Sequence, residues 1–324
     1  NIVKANGRRN PDHEFGTNPC SEIILRPYQF CNLTEIIVRA ADTQEDLLRK
    51  IRIASILGTF QSTLTHFPYL RKIWRDNTEQ ERLLGVSMTG ILDNSLLNNP
   101  SDPTLPARLE ELKARSVVIN AEYADILGIP ASVAITAIKP SGTVSQLTDT
   151  ASGIHPRHAE YYYRRIRGDI KDPLTKAMMA AGVPSEPDVM KPGSTMVFTF
   201  PKKAPIGAVL RSQLDAIKHL HLWLVYQHHY CEHKPSVTIS VNEKEWPAVG
   251  AFVWDHFDEM SGVSFLPYDG GNYKQAPYED CTKEEYEQLF TKMPSSIDWD
   301  AIIEMEDNVE GSQMLACTAG GCEI

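Results

Sequence analysis

The chain has 324 residues, 42% hydrophobic and 23% charged, enough for one large α/β domain or two smaller ones around a real core. Its formal net charge of −10 argues against a nucleic-acid partner, because binding a polyanion needs a basic face. No apolar run approaches bilayer length and no signal peptide is visible, so no membrane partner is expected; six cysteines in that setting suggest a reducing, cytoplasmic compartment.

In chain order, Leu33 to Val38 reads as a strand. Thr43 with Asp46 three residues on is a capping-box pattern, and Leu47, Ile51, Ala54 and Gly58 then recur at helical spacing. Leu83 to Met88 reads as a short buried strand. A helix follows from Pro106 to Gly128, and then a strand from Ala131 to Ile138. Asp172-Pro173 opens a helix that closes at Gly182, and Met196, Phe198 and Phe200 alternate in a strand ended by Pro201. Next come a helix from Ala208 to about Tyr230, a strand from Val237 to Val241, a helix around Trp246 to Phe257 and a strand from Val263 to Leu266. Thr282 and Glu285 cap a final helix to Met293. Strands alternating with helices predict an α/β fold of parallel βαβ units. From Asp307 the chain turns small and polar, so residues 1–306 read as one domain and 307–324 as a flexible tail.

Four motifs carry chemistry. Asn18-Pro19-Cys20-Ser21-Glu22 sets an amide, a thiol and a carboxylate at alternate positions, which share one side of an extended chain. Phe30-Cys31-Asn32-Leu33-Thr34-Glu35 follows. Lys139-Pro140-Ser141-Gly142-Thr143-Val144-Ser145 leaves a strand with small residues whose N–H and hydroxyl groups suit an anion, although its spacing is not that of a Walker A loop. Cys317 and Cys322 stand five apart in a glycine-rich terminus, the layout of a thiol pair on a swinging arm.

Together, and in this order over essentially the whole chain, these motifs resemble the large catalytic chain of ribonucleotide reductases, most closely the adenosylcobalamin-dependent class. The resemblance implies a ten-stranded α/β barrel of the ribonucleotide reductase and glycyl-radical type. This chain would give the central cysteine loop and the later strands. It implies that Cys20 is the thiyl radical that takes the substrate's 3′-hydrogen, Glu22 the base on the 3′-hydroxyl and Asn18 a holder of the sugar hydroxyls. Pro19 and Ser21 would complete that substrate loop. Cys31 resembles one member of the reducing dithiol, whose partner in the family lies upstream of residue 1. Pro140, Ser141, Gly142, Thr143 and Val144 would bind the substrate phosphates, and Cys317 with Cys322 would be re-reduced by thioredoxin or glutaredoxin. A radical role also asks that Cys20 be shielded from solvent. The opening residue is Asn, and the chain starts in mid-pattern; an upstream N-terminal fragment of the same enzyme is therefore an expected partner.

Two other readings stay open. The chain is a non-catalytic half of a split reductase, or it is a zinc-binding structural protein. For the second, His228, His229, Cys231 and His233 are the tempting cluster, but residues adjacent on a helix do not converge, and a helix end with surface histidines is the expected reading. No metal site is assigned. His155, in Ala151-Ser152-Gly153-Ile154-His155-Pro156, is expected to be structural.

Overall fold

The structure, a computed structural model, describes residues 2–268, 273–300 and 302, with the backbone of 317–318 and 321–322. Its centre is a row of parallel extended segments. Strand β1 (Asn32–Ile37) leads to helices α1 (Gln44–Gln61) and α2 (Lys72–Glu81), and β2 (Leu84–Thr89) returns parallel to β1 with Leu33 opposite Gly85 and Glu35 opposite Ser87. Helix α3 (Leu105–Leu127) precedes residues 134–138, which join β2 through a parallel bridge at Val86 and Thr136. Short helix α4 (Val144–Thr148) follows the 139–143 turn.

The chain then leaves this row to build an antiparallel sheet from β3 (Tyr161–Asp169), β4 (Ser185–Pro187) and β5 (Thr195–Lys203), with α5 (Pro173–Ala180) between the first two. It returns through α6 (Ala216–His229) to β6 (Val237–Val241), α7 (Trp246–Asp255) and β7 (Val263–Pro267), with Ile138 bridged to Pro235 and β6 parallel to β7. Strand β8 (Tyr278–Asp280) pairs with β3, and α8 (Lys283–Lys292) is the last helix among the described residues. Five parallel segments therefore stand side by side in sequence order among the described residues. The α/β expectation holds; the ten-stranded closure is not formed by these residues, which give the five segments and a few small sheets.

Local chemistry explains the boundaries. The Thr43 side chain accepts the Asp46 N–H while Asp46 reaches back, and Thr282 with Glu285 does the same for α8. Pro106 sits in the first turn of α3, and Gly128 ends that helix in the left-handed region at φ 65°.

Elsewhere the structure corrects the sequence. Helix α6 starts at Ala216, not 208, because Asp215 accepts the Lys218 N–H as its cap. Strand β5 continues through Pro201 to Lys203, since its partner β3 faces it along nine register positions. That β3 pairing makes the sheet antiparallel where parallel units were expected, and α2 was not anticipated at all. Residues 131–138 carry isolated bridges at Thr136 and Ile138 in place of a regular strand, with backbone bonds such as Val86 N–H to Ile135 O and Ser236 N–H to Ile138 O on either side.

Side chains alternate across the row. Ile36, Val38, Leu84, Val86, Met88, Val237, Ile239 and Val241 join Leu47, Ile51, Leu109, Leu220, Trp223 and Phe252 from the helices in one core. Cys31, Leu33 and Glu35 point to the other side, and Leu33 stays exposed there. Most of the expected tail from 307 lies outside the described residues; within it the backbone pairs Cys317 with Cys322 as register partners of a small antiparallel hairpin.

Candidate active site

The stretch from Asn18 to Glu22 is a tight turn rather than an extended strand. Ser21 N–H donates to Asn18 O at 2.9 Å, Ile23 N–H donates to Asn18 Oδ1 at 3.0 Å, and Ser21 takes a left-handed φ of 64°. The simple alternation that would put Asn18, Cys20 and Glu22 on one side is therefore not realised. Proline at position 19 and the left-handed serine bend the chain too sharply. Cys20 lies exposed at the tip with Pro19, which corrects the expectation of a shielded thiol within this chain. Glu22, two residues on, is 1% exposed.

The buried arm of the turn is held against the sheet. Lys234 N–H donates to Glu22 O at 3.0 Å, and Ile24 N–H donates to His233 Nδ1 at 3.2 Å. Ahead of the turn, Arg9 makes a buried ion pair with Glu81 at 2.7 Å and donates to Ile24 O at 2.8 Å. Gly85 is where the turn and the strand meet. A β-carbon there would sit 2.4 Å from Leu33 Cδ2, 3.0 Å from Ile23 Cδ1 and 3.5 Å from Cys31 Sγ, so only glycine permits the approach.

Glu22 Oε2 is buried without a hydrogen-bond partner. A buried carboxylate oxygen left unpaired costs free energy, which marks the position as one kept for something other than folding. Its charge reaches the neighbouring groups. Burial, and then the Glu22 charge, push the Cys31 thiol far above its ordinary range, against the opposing charges of Arg9 and Lys139. Burial lowers the Lys234 ammonium and Glu22 opposes it. The chemistry this allows is proton transfer to Glu22 beside a thiol that is held as the thiol, not the thiolate.

The 139–145 stretch leaves the sheet on the same side. Ser141 is buried, takes φ 57°, and donates its hydroxyl to Glu35 Oε1. Ser145 N–H returns to Ser141 O at 3.1 Å. Gly153, at φ 51°, backs the turn so closely that a β-carbon would lie 2.3 Å from Lys139 O. Gly142, Thr143 and Val144 form the open rim, with Thr143 and Val144 exposed and Pro140 buried beneath.

Glu35 was missed by sequence reading: a Glu one residue after a threonine in an apolar strand looks like ordinary alternation. The Arg157 and Asp93 pair was missed as well. It is buried at both ends, with Nε to Oδ1 at 2.9 Å and Nη2 to Oδ2 at 2.8 Å. It backs a cleft of about 360 Å³ lined by Arg39, Asp149, Thr150 and Lys203.

The histidine cluster does not converge. His228 pairs with Glu259 at 2.6 Å and His229 with Glu110 at 2.7 Å. His233 is fully buried, contrary to the surface reading, and spends both ring nitrogens on backbone, accepting from Ile24 and donating to Leu84 O at 3.0 Å. His155 is structural as expected: Nδ1–H donates to Ser152 O at 2.8 Å, and Nε2 accepts the Thr238 N–H at 2.9 Å. Among the described residues no group of three or more His, Cys, Asp or Glu is arranged to hold a metal ion, and no helix is long and apolar enough to cross a membrane.

Comparison with known proteins gives this geometry a context. The adenosylcobalamin-dependent ribonucleoside-triphosphate reductase of Lacticaseibacillus paracasei is 28% identical over 99% of this chain and 46% of its own length. The protein of the same name from Euglena gracilis is 29% identical over 98% of this chain and 44% of its own. The crystal structure of a B12-dependent, class II ribonucleotide reductase matches with a TM-score of 0.75 at 27% identity, covering 90% of this chain and 43% of that one. The chain is a relative of the adenosylcobalamin-dependent ribonucleotide reductases. It spans somewhat under half the length of the curated reductases it matches. The alpha subunit of the class Id ribonucleotide reductase of Actinobacillus ureae, 13% identical with a TM-score of 0.51 over 83% of this chain and 55% of that one, is alike in fold alone. No protein-family model matches the chain.

Proposed function

We propose that the chain is the part of a ribonucleotide reductase that carries the radical thiol, and that it converts ribonucleoside di- or triphosphates to 2′-deoxyribonucleotides. The observation that supports this most is Glu22: a buried carboxylate with an open oxygen, two residues from Cys20 and electrostatically coupled to Cys31. Hydroxide leaves an unactivated carbon poorly, so the ribose must first become a radical. Cys20, as a thiyl, removes the 3′-hydrogen and later returns it. Glu22 takes the 3′-hydroxyl proton, and Asn18 orients the sugar. The 2′-hydroxyl departs as water. Two electrons and two protons come from Cys31 and a second thiol supplied from outside this sequence, and those two sulfurs end as a disulfide. Cys317 and Cys322 then take over the oxidised state by thiol–disulfide exchange and pass it to thioredoxin or glutaredoxin. Pro140, Ser141, Gly142, Thr143 and Val144 receive the substrate phosphates. In this reading residues 1–306 are one catalytic unit, 307–324 its redox tail, and the reducing cytoplasm its setting.

Adenosylcobalamin is the cofactor we assign, after the relatives' names; when bound it supplies a carbon radical by homolysis. The residues fit it at one point, since exposed Cys20 can be reached from outside. The cleft between Arg39 and Lys203, at about 360 Å³, lies at the small end of the range for drug-sized ligands, and a corrinoid is far larger. The corrin's seat is therefore not formed by that cleft.

A second reading has its own support. A parallel sheet is ordinarily covered on both faces, yet Leu33 is exposed on the side opposite the helices. On this reading the chain is a half that becomes competent only when an upstream fragment covers that face. The test is deoxynucleotide formation by the chain with and without the upstream portion, cofactor and a dithiol. Product only from the pair favours the half; product from the single chain rules the half out. Product from a Cys20→Ala pair would end the reductase reading altogether.

A further inference from the structure

Glu35 is partly buried on β1, on the same side as Cys31, and its Oε1 gathers two hydroxyls. Ser87 Oγ donates to it from β2 at 2.9 Å, and Ser141 Oγ donates to it from the 139–145 stretch. Ser87 Oγ in turn accepts the Lys139 N–H at 2.9 Å. One carboxylate thus laces three neighbouring segments together where the third leaves the sheet. Ser141 meanwhile holds a left-handed backbone conformation that a β-carbon resists, so the turn needs an external hold.

We propose that Glu35 is a positioning residue for the 139–144 turn, accepting the Ser141 hydroxyl so that the turn keeps its shape for a phosphate chain and stays locked to the strand that carries Cys31. This rests on reading 140–144 as the phosphate turn. The electrostatics agree. Burial raises the Glu35 carboxyl above its ordinary range, opposed by the Ser141 and Ser87 hydrogen bonds and the Lys139 charge and aided by the Glu22 charge.

The test uses the 324-residue chain, inorganic tripolyphosphate as probe, and hydrogen exchange at Gly142 to Ser145. Glu35→Ala should speed exchange across the turn and weaken tripolyphosphate binding about tenfold, the effect of losing one hydrogen bond to a charged or strongly polar group. Ser141→Ala, which removes the other end of the bond, should do the same, and the double variant should be no worse than either. Glu35→Gln, which keeps an acceptor oxygen in place, should hold both readouts within about twofold of wild type. Unchanged exchange in Glu35→Ala and in Ser141→Ala overturns the inference. So does a Gln variant as impaired as the Ala variant. A wild type that ignores tripolyphosphate, while exchange still responds to Glu35, would refute the phosphate reading and leave the mechanical role of Glu35 standing.

Discussion

Ile24 donates its N–H to Nδ1 of His233 at 3.2 Å, and that bond fastens the cysteine turn to a side chain more than two hundred residues away. The same ring donates from Nε2 to Leu84 O at 3.0 Å, so a single neutral tautomer ties the turn to β2. Replacing His233 by Ala leaves a buried N–H and a buried carbonyl unpaired, at about 1–3 kcal/mol each. We expect a loss of that size in denaturant unfolding, with faster hydrogen exchange at Ile24 as the local signature.

The same histidine predicts a pH dependence. Burial lowers His233 to about 3, His219 to about 3 and His155 to about 4, from an ordinary value of 6.5; the neighbouring Arg9 assists for His233 and His155 for His219. Between pH 6.5 and about 4 the unfolded chain binds these protons and the folded chain does not. Stability therefore falls as pH falls, each group contributing about 1.4 kcal/mol per pH unit in that window. Unfolding midpoints measured from pH 7 to pH 4.5 should drop steadily, and less steeply in a His155→Gln variant.

Gly85 is the narrowest point between turn and strand. Gly85→Ala puts a carbon 2.4 Å from Leu33 Cδ2 and 3.0 Å from Ile23 Cδ1, and overpacking of this kind costs about 1–3 kcal/mol. Leu33 is exposed and can rotate, while Ile23 is buried and cannot easily do so. The expected result is a stable variant whose Cys31 and turn environments shift in NMR. A Gly85→Val variant should lose more stability.

Glu22 raises the Cys31 thiol through its charge. Glu22→Gln removes that charge with little change of shape, so Cys31 should form thiolate more readily and alkylate several-fold faster at pH 8, as read by peptide mass spectrometry. In wild type, exposed Cys20 should be modified well before Cys31.

Much of this was legible beforehand, and the failures have physical causes. Capping residues at Thr43, Asp172 and Thr282 fixed three helix starts, because a cap acts through neighbours in sequence. The parallel row was legible from alternating apolar runs. Strand β3 was not, since its Tyr161 to Arg167 side chains find their partners in β5 and β8, well over twenty residues distant, and nothing local announces that pairing. Within the site, residue identities at 18, 20, 22 and 31 suggested the chemistry, but the extended geometry assigned to 18, 20 and 22 was wrong. Ser21 bends left-handed, and Asn18 spends its side-chain oxygen on Ile23. Glu35 was invisible because its meaning comes from Ser141, 106 positions away.

The central claim is that Cys20 becomes a one-electron oxidant, and electron spin resonance tests it most directly. The chain, combined with the proposed upstream fragment and given adenosylcobalamin and a ribonucleoside triphosphate, should yield a sulfur-coupled radical signal that vanishes in Cys20→Ser and persists in Cys281→Ser. An undiminished signal in Cys20→Ser would contradict the account.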